Sequence, residues 1–259
     1  MLDYLDTLAR DAKETVAEGY YEISTQPSTH SFSLREAIIK SKQNAVITEI
    51  KAASPSRGII KTNFNPTEVA RAMKNGGAIG ISVLTEPKHF NGSLGYLTKV
   101  RETVRLPIIM KDIIIDPTQL EVASRIGANV VLLIEALFER GYCEVNLNKM
   151  IKQAHSKNLE VLLETHTEDE YQQAIKTNTD FVGINNRDLR TLKVDLHTTE
   201  RILKKHEHKG KVVISESGVM TDRELLFLRN CGAQAFLIGS SIMMANNIEK
   251  KVKEFVTAK

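Results

Sequence analysis

A chain of 259 residues, 42% hydrophobic and 26% charged, is long enough for one large α/β domain and ordinary for a folded globular protein. Its net charge of +3 gives no basis for a nucleic-acid partner and does not oppose a small anionic substrate. Cys143 and Cys231 stand in no metal-type spacing and fit a reducing compartment, and no apolar run approaches the roughly 18 residues of a membrane span. The first residues, MLDYLDTLARDAKE, lack the apolar core of a signal peptide, so a cytoplasmic location is expected.

Residues 1–43 read as an N-terminal helical extension. Leu2, Leu5, Leu8 and Ala9 fall at helical spacing, and a second helix is expected from Leu34 to Lys42 with Ser33 as its cap. The segment between them, TQPSTHS, is loop-like. From there short apolar runs recur at 45–51, 78–85, 106–112, 129–135, 159–165, 180–186, 211–217 and 233–239. They do not alternate apolar with polar, which is what a parallel sheet buried on both faces requires. Helix-start signals lie between them at Asn65-Pro66, Asp116-Pro117, Thr167-Glu168 and Thr221-Asp222.

The chain also repeats internally. A helix end followed by a strand recurs at Gly77, Gly127, Thr179 and Gly232, in steps of 50, 52 and 53 residues. Each step spans two strand–helix units, so four steps make eight strands. Eight parallel strands with right-handed helical crossovers close into a (β/α)8 barrel. An open doubly wound sheet is the alternative, disfavoured by the evenness of the repeat. A single domain over residues 1–259 is expected.

Active sites of such barrels lie where the strands end. The first strand ends in Glu49 and Lys51, two residues apart and hence on one face. The third ends in Lys111-Asp112, the fifth in Glu164 and the sixth in Asn185-Asn186-Arg187. The seventh ends in Glu216-Ser217-Gly218 and the eighth, through Leu237, in Gly239-Ser240. Two lysines and two glutamates from odd strands would share one mouth and shift one another's pKa values, as proton transfer needs. Glycine and serine after the last two strands, with Ser54 and Ser56 after the first, fit a phosphate site.

Taken singly, each feature has a plainer reading. Glu49–Lys51 could be a salt bridge at a strand end, Lys111–Asp112 an ion pair, Glu164 a helix cap and Arg187 a surface charge. His206-Glu207-His208 resembles a metal pair, but it precedes the seventh strand, at the wrong end of the barrel. His89 and His166 stand at the right end without a His or Cys partner at metal-ligand spacing, so no metal is expected.

Together the residues resemble the indole-3-glycerol-phosphate synthase family. The resemblance rests on EIKAASPS (49–56), VLTEPKHFNGS (83–93), Pro107 to Asp116, LEVLLE (159–164), GINNRDL (183–189), SESG (215–218) and Gly239-Ser240. It covers residues about 45 to 241, and the N-terminal extension is similar to one whose helices pack over the active-site mouth. One departure is Ile113, where the family carries an aromatic residue. That would cost about 1 kcal/mol of ring contact.

The resemblance implies a decarboxylating lyase of tryptophan biosynthesis acting on 1-(2-carboxyphenylamino)-1-deoxyribulose 5-phosphate, with no cofactor. It implies catalytic roles for Glu49, Lys51, Lys111, Glu164, Asn185 and Ser217. Lys111 would be the acid of ring closure, assisted or replaced by Lys51, and Glu164 the acid/base of dehydration. Substrate binding would fall to Ser54, Phe90, Arg187, Glu216, Gly218, Leu237, Gly239 and Ser240. The partner expected is a small phosphorylated molecule, with neither nucleic acid nor membrane. A monomer is expected, a weak dimer being the alternative. Two other readings stand beside it. Phosphoribosylanthranilate isomerase would need a strand-end Cys and Asp, and both cysteines lie elsewhere. A non-catalytic phosphometabolite-binding barrel would need no such charged quartet.

Overall fold

The apolar runs form the strands of a closed barrel: β1 Val46–Ile50, β2 Gly80–Leu84, β3 Ile108–Lys111, β4 Val130–Ile134, β5 Glu160–Thr165, β6 Phe181–Asn185, β7 Val212–Glu216 and β8 Ala235–Ile238. All eight lie inside the runs read from the sequence. The computed structural model describes residues 3–23, 32–54, 58–61 and 63–259. Every barrel ladder is parallel, and β8 closes the ring against β1 through Val46–Phe236 and Ile47–Leu237. The helices of the extension are α1 Tyr4–Ala17 and α2 Leu34–Lys40. Those that follow are α3 Pro66–Asn75, α4 Leu94–Thr103, α5 Pro117–Arg125, α6 Glu135–Glu139, α7 Leu147–Ser156 and α8 Glu168–Ala174. The last are α9 His197–Lys205, α10 Asp222–Asn230, α11 Ser240–Met243 and α12 Ile248–Thr257.

The start signals act as expected. The side chains of Asn65, Asp116 and Thr167 accept backbone N–H groups of the first turns they precede, and Thr221 forms a capping box with Glu224. The strands split their side chains between two cores. Val46, Ile50, Met110, Leu163 and Val213 pack outward against the helices, with Val69, Leu97, Tyr171 and Leu225 among their partners. Ile47, Ile109, Leu162 and Ile214 turn inward and fill the barrel. Two residues further along the same four odd strands stand Glu49, Lys111, Glu164 and Glu216, so the inward layer above this apolar one is charged.

The extension does not do what the resemblance implied for it as a whole. Of its two helices, α1 covers the mouth. Its Asp3 and Asp6 pair with Arg140 at 2.8 and 2.7 Å, and Lys88 reaches Glu14 at 3.0 Å. Helix α2 plugs the opposite end. Ser33 Oγ and the Leu34 N–H donate to the Glu160 carboxylate at the start of β5, at 2.6 and 2.7 Å. Leu34 is wholly buried against Gly80 at the start of β2, where a Cβ would meet its Cδ1 at 2.9 Å. The segment TQPSTHS between the helices lies outside the described residues, as do Leu2 and Ser56. After β1 the chain makes a short antiparallel ladder, Ala53–Ser54 with Gly58–Ile59, rather than a plain loop.

Candidate active site

Lys111 stands at the centre of the mouth. Its Nζ lies 3.2 Å from Glu164 Oε2 and 3.8 Å from Glu216 Oε2. Beside it, Lys51 Nζ lies 2.8 Å from Glu49 Oε1. Glu49, Glu164 and Glu216 are all buried. The charged layer is therefore three carboxylates around one ammonium, with Lys51 above it. Glu216 is its fourth member, where the sequence had suggested a quartet completed by Lys51.

The environments of the acids differ sharply. Burial pushes the Glu164 carboxyl up, but the Lys111 charge, His166 and the Asn185 amide outweigh it and hold it well below the usual carboxylate range. Asn185 Nδ2 donates to Glu164 Oε1 at 3.0 Å. Glu216 goes the other way: burial and the neighbouring Glu164 push it well above that range, against the pull of Lys111. Neither Glu216 oxygen has a hydrogen-bond donor among the described residues, and an ionised carboxylate so placed would be costly. Burial also pulls on Lys111, yet the carboxylates of Glu164, Glu216 and Glu49 prevail and raise its pKa. The mouth thus sets two acids whose surroundings push their pKa values apart beside a lysine whose charge is favoured, the arrangement acid–base chemistry uses.

Glu216 fits only because position 183 has no side chain. A Cβ on Gly183 of β6 would lie 2.2 Å from Glu216 Oε1. Gly239 plays the same part for β1, since its Cβ would fall 2.7 Å from Glu49 Oε1.

The rim is polar on one side and apolar on the other. β7, β8 and β1 are neighbours in the ring, and there Ser54, Ser217, Gly218, Gly239 and Ser240 line the cavity. Ser217 and Gly218 are both left-handed, with φ of 65° and 98°, so the chain turns sharply at the end of β7. Ser240 and Ser241 open α11, so their N–H groups have no acceptor within the helix. The Ser54 hydroxyl is buried with no partner among the described residues. Across the cavity, towards β3 and β4, the lining is Phe90, Ile113, Leu132, Ile134, Leu189 and, from α1, Tyr4 and Leu8. Glu86 builds the loop that presents Phe90 by accepting the N–H groups of Lys88, His89 and Phe90 at 2.8, 2.7 and 2.9 Å.

All fourteen residues singled out in the sequence line this cavity, Asn185, Arg187 and Leu237 included. Asp112 does not pair with Lys111. It accepts from Thr85 Oγ1, Tyr21 Oη and the Ile113 N–H, and burial pushes its carboxyl up to about 6. Tyr4 and Leu8 went unnoticed as lining residues, although their i, i+4 spacing puts them on one helix face. His206 pairs with Glu168 away from the cavity, and His89 with Asp11 and Tyr4 of α1.

The model of the family described as indole-3-glycerol phosphate synthase matches residues 5–255. The chain belongs to the indole-3-glycerol phosphate synthase family. A protein of that name from Caldanaerobacter subterraneus subsp. tengcongensis is 39% identical over 94% of this chain and 92% of its own. Another, from Methanocaldococcus jannaschii, is 45% identical over 86% of this chain and 82% of its own. Among solved structures, a thiamine phosphate pyrophosphorylase from Pyrococcus furiosus superposes with a TM-score of 0.61 at 16% identity, covering 86% of this chain and 96% of that one. The last likeness is one of fold alone. The family's motifs fall on the strand ends that form the charged layer.

Proposed function

We propose that the charged layer and its two-sided rim carry out the decarboxylating ring closure of 1-(2-carboxyphenylamino)-1-deoxyribulose 5-phosphate to indole-3-glycerol phosphate, CO2 and water. The single observation that carries the residue roles is Lys111 Nζ set 3.2 Å from Glu164 and 3.8 Å from Glu216, two buried acids whose surroundings push their pKa values apart. The phosphate goes to the polar rim, where the Ser54 hydroxyl and the backbone N–H groups near Gly218 and Ser240 receive it. The aromatic ring goes to the apolar side, against Phe90, Ile113, Leu132 and Leu8. Anchoring both ends brings the ring carbon onto the carbonyl carbon in the middle, over Lys111.

As that carbon–carbon bond forms, the carbonyl oxygen becomes an alkoxide and takes a proton from Lys111. Lys51 faces the ring carboxylate and neutralises it until CO2 leaves and the ring regains its aromaticity. Dehydration then removes the new hydroxyl as water. Glu164 accepts the proton that the substrate gives up in that step, and the Lys51 ammonium donates the proton with which the hydroxyl departs as water. Glu216, kept neutral, donates to a substrate hydroxyl, while Asn185 and Arg187 hold the substrate from β6. Glu49 orients Lys51. The chain works as a monomer in the cytoplasm; among the described residues no helix is long and apolar enough to cross a membrane.

Purified protein mixed with this substrate should produce indole fluorescence without added metal or nucleotide. Absence of product at micromolar enzyme would overturn the assignment.

A further inference from the structure

A histidine that does not line the cavity stands directly behind Glu164. His166 follows the end of β5, two residues after Glu164, and its side chain is almost fully buried. Nε2 lies 3.2 Å from Glu164 Oε1, and Nδ1 lies 3.4 Å from Glu170 Oε2 in the first turn of α8. Glu170 Oε2 also accepts the His166 backbone N–H at 2.7 Å, which ties the turn after β5 to the first turn of α8 and leaves the imidazole between the two carboxylates. Glu164 Oε1 thus accepts the Asn185 amide and stands at ion-pair distance from His166 Nε2, which makes no hydrogen bond among the described residues, while Oε2 faces Lys111.

We propose that His166 is a positioning residue: carried as an imidazolium clamped by Glu170, it keeps Glu164 ionised and aimed at the substrate. This rests on the reading of Glu164 as the proton acceptor of dehydration. A carboxylate with a cation on each oxygen stays deprotonated through the cycle even when Lys111 has just given up its proton. Lys111 alone could not do this, because its charge is spent at ring closure, before Glu164 acts in dehydration. Burial lowers the imidazole pKa, but Glu164 and Glu170 overcome it and raise it to about 9. The charged and titratable groups around the pair are Glu164 on β5, Glu170 on α8, Lys111 on β3, Glu216 on β7 and Glu135 at the start of α6. Burial pushes Glu135 up to about 7, with Glu170 and Glu139 adding to it, so it is partly ionised at pH 7.5 and its charge favours the imidazolium in the same direction as Glu164 and Glu170.

The test has two arms. In the unmodified protein, ¹⁵N NMR of the imidazoles, with His166 assigned through its backbone, should show it doubly protonated at pH 7.5. Its titration midpoint should fall in Glu170→Gln, whose amide oxygen still accepts the backbone N–H. A neutral His166 at pH 7.5 overturns the proposal. In kinetics, His166→Gln should move the acid limb of the kcat profile to higher pH by about one unit with KM nearly unchanged. A profile superimposable on that of the parent overturns the proposal. Glu164→Gln separates the two readings. If it keeps full kcat, both fall; if it is inactive while His166→Gln matches the parent, only the role of His166 falls.

Discussion

The two ends of the barrel are built by the same eight strands and enclose opposite chemistry. At the end where the strands begin, Leu34 plugs the ring over Gly80, the Glu160 carboxylate is tied to Ser33 and the Leu34 N–H, and Ile47, Ile109, Leu162 and Ile214 form an apolar layer above them. One layer on, the same odd strands bring Glu49, Lys111, Glu164 and Glu216 together. Burying charged groups costs free energy that an apolar layer would not. The difference shows where this fold places its stability and where it holds functional strain, and each end can be perturbed separately.

The largest effect is expected at the charged end. Lys111→Ala should lower kcat by about 10²-fold or more, as for a lost general acid, with substrate binding retained. Full kcat in this variant would move the acid role to Lys51. Leu34→Ala should do the reverse, costing about 2–5 kcal/mol in denaturant unfolding while leaving kcat within a factor of two. If Leu34→Ala damaged kcat as severely as stability, the two ends would not be separable.

Gly183→Ala tests whether the ends meet in the middle. Its Cβ would force the Glu216 carboxylate aside and also approach Leu162 Cδ1 at 3.2 Å. It should cost about 1–3 kcal/mol of stability and reduce kcat by roughly tenfold or more through a misplaced acid. Unchanged kinetics would remove Glu216 from the reaction.

The charged end should also make stability depend on pH. His166 has its folded pKa raised above the ordinary value to about 9, so the folded state holds its proton more tightly than the unfolded chain does. Its contribution is full below about pH 6.5 and is lost as the pH rises through about 9. Urea midpoints measured across that window should fall with pH, and His166→Gln should flatten the slope. The smallest effect belongs to the exposed Lys40–Glu36 pair on α2. Lys40→Ala should leave both kcat and melting temperature unchanged, since such pairs contribute little.

The strands and helix caps were legible because they depend on local pattern: unbroken Val, Ile and Leu runs, and Asn, Asp or Thr before each helix. The strand-end residues were legible because the fold brings strand ends together by rule. What stayed hidden depends on contacts between distant residues. That α2 closes the far end follows from Leu34 meeting Gly80 and Glu160, a fact that no spacing within the extension encodes. Glu216 was visible as a binding residue. Its neutral state needs a glycine on the neighbouring strand and Glu164 on another. His166 was weighed only as a metal ligand, because its carboxylate partners come together only when β5 and α8 pack.

The charged layer draws one residue from each odd strand, so a cut between β4 and β5 would divide it unequally. The first half would keep Glu49, Lys51 and Lys111, and the second only the acids Glu164 and Glu216. Neither fragment could turn over substrate alone. Co-expressed halves would regain activity only on reassembly, helped by the attraction of one half's lysine for the other's carboxylates. Recovered turnover is therefore a direct gauge of ring closure.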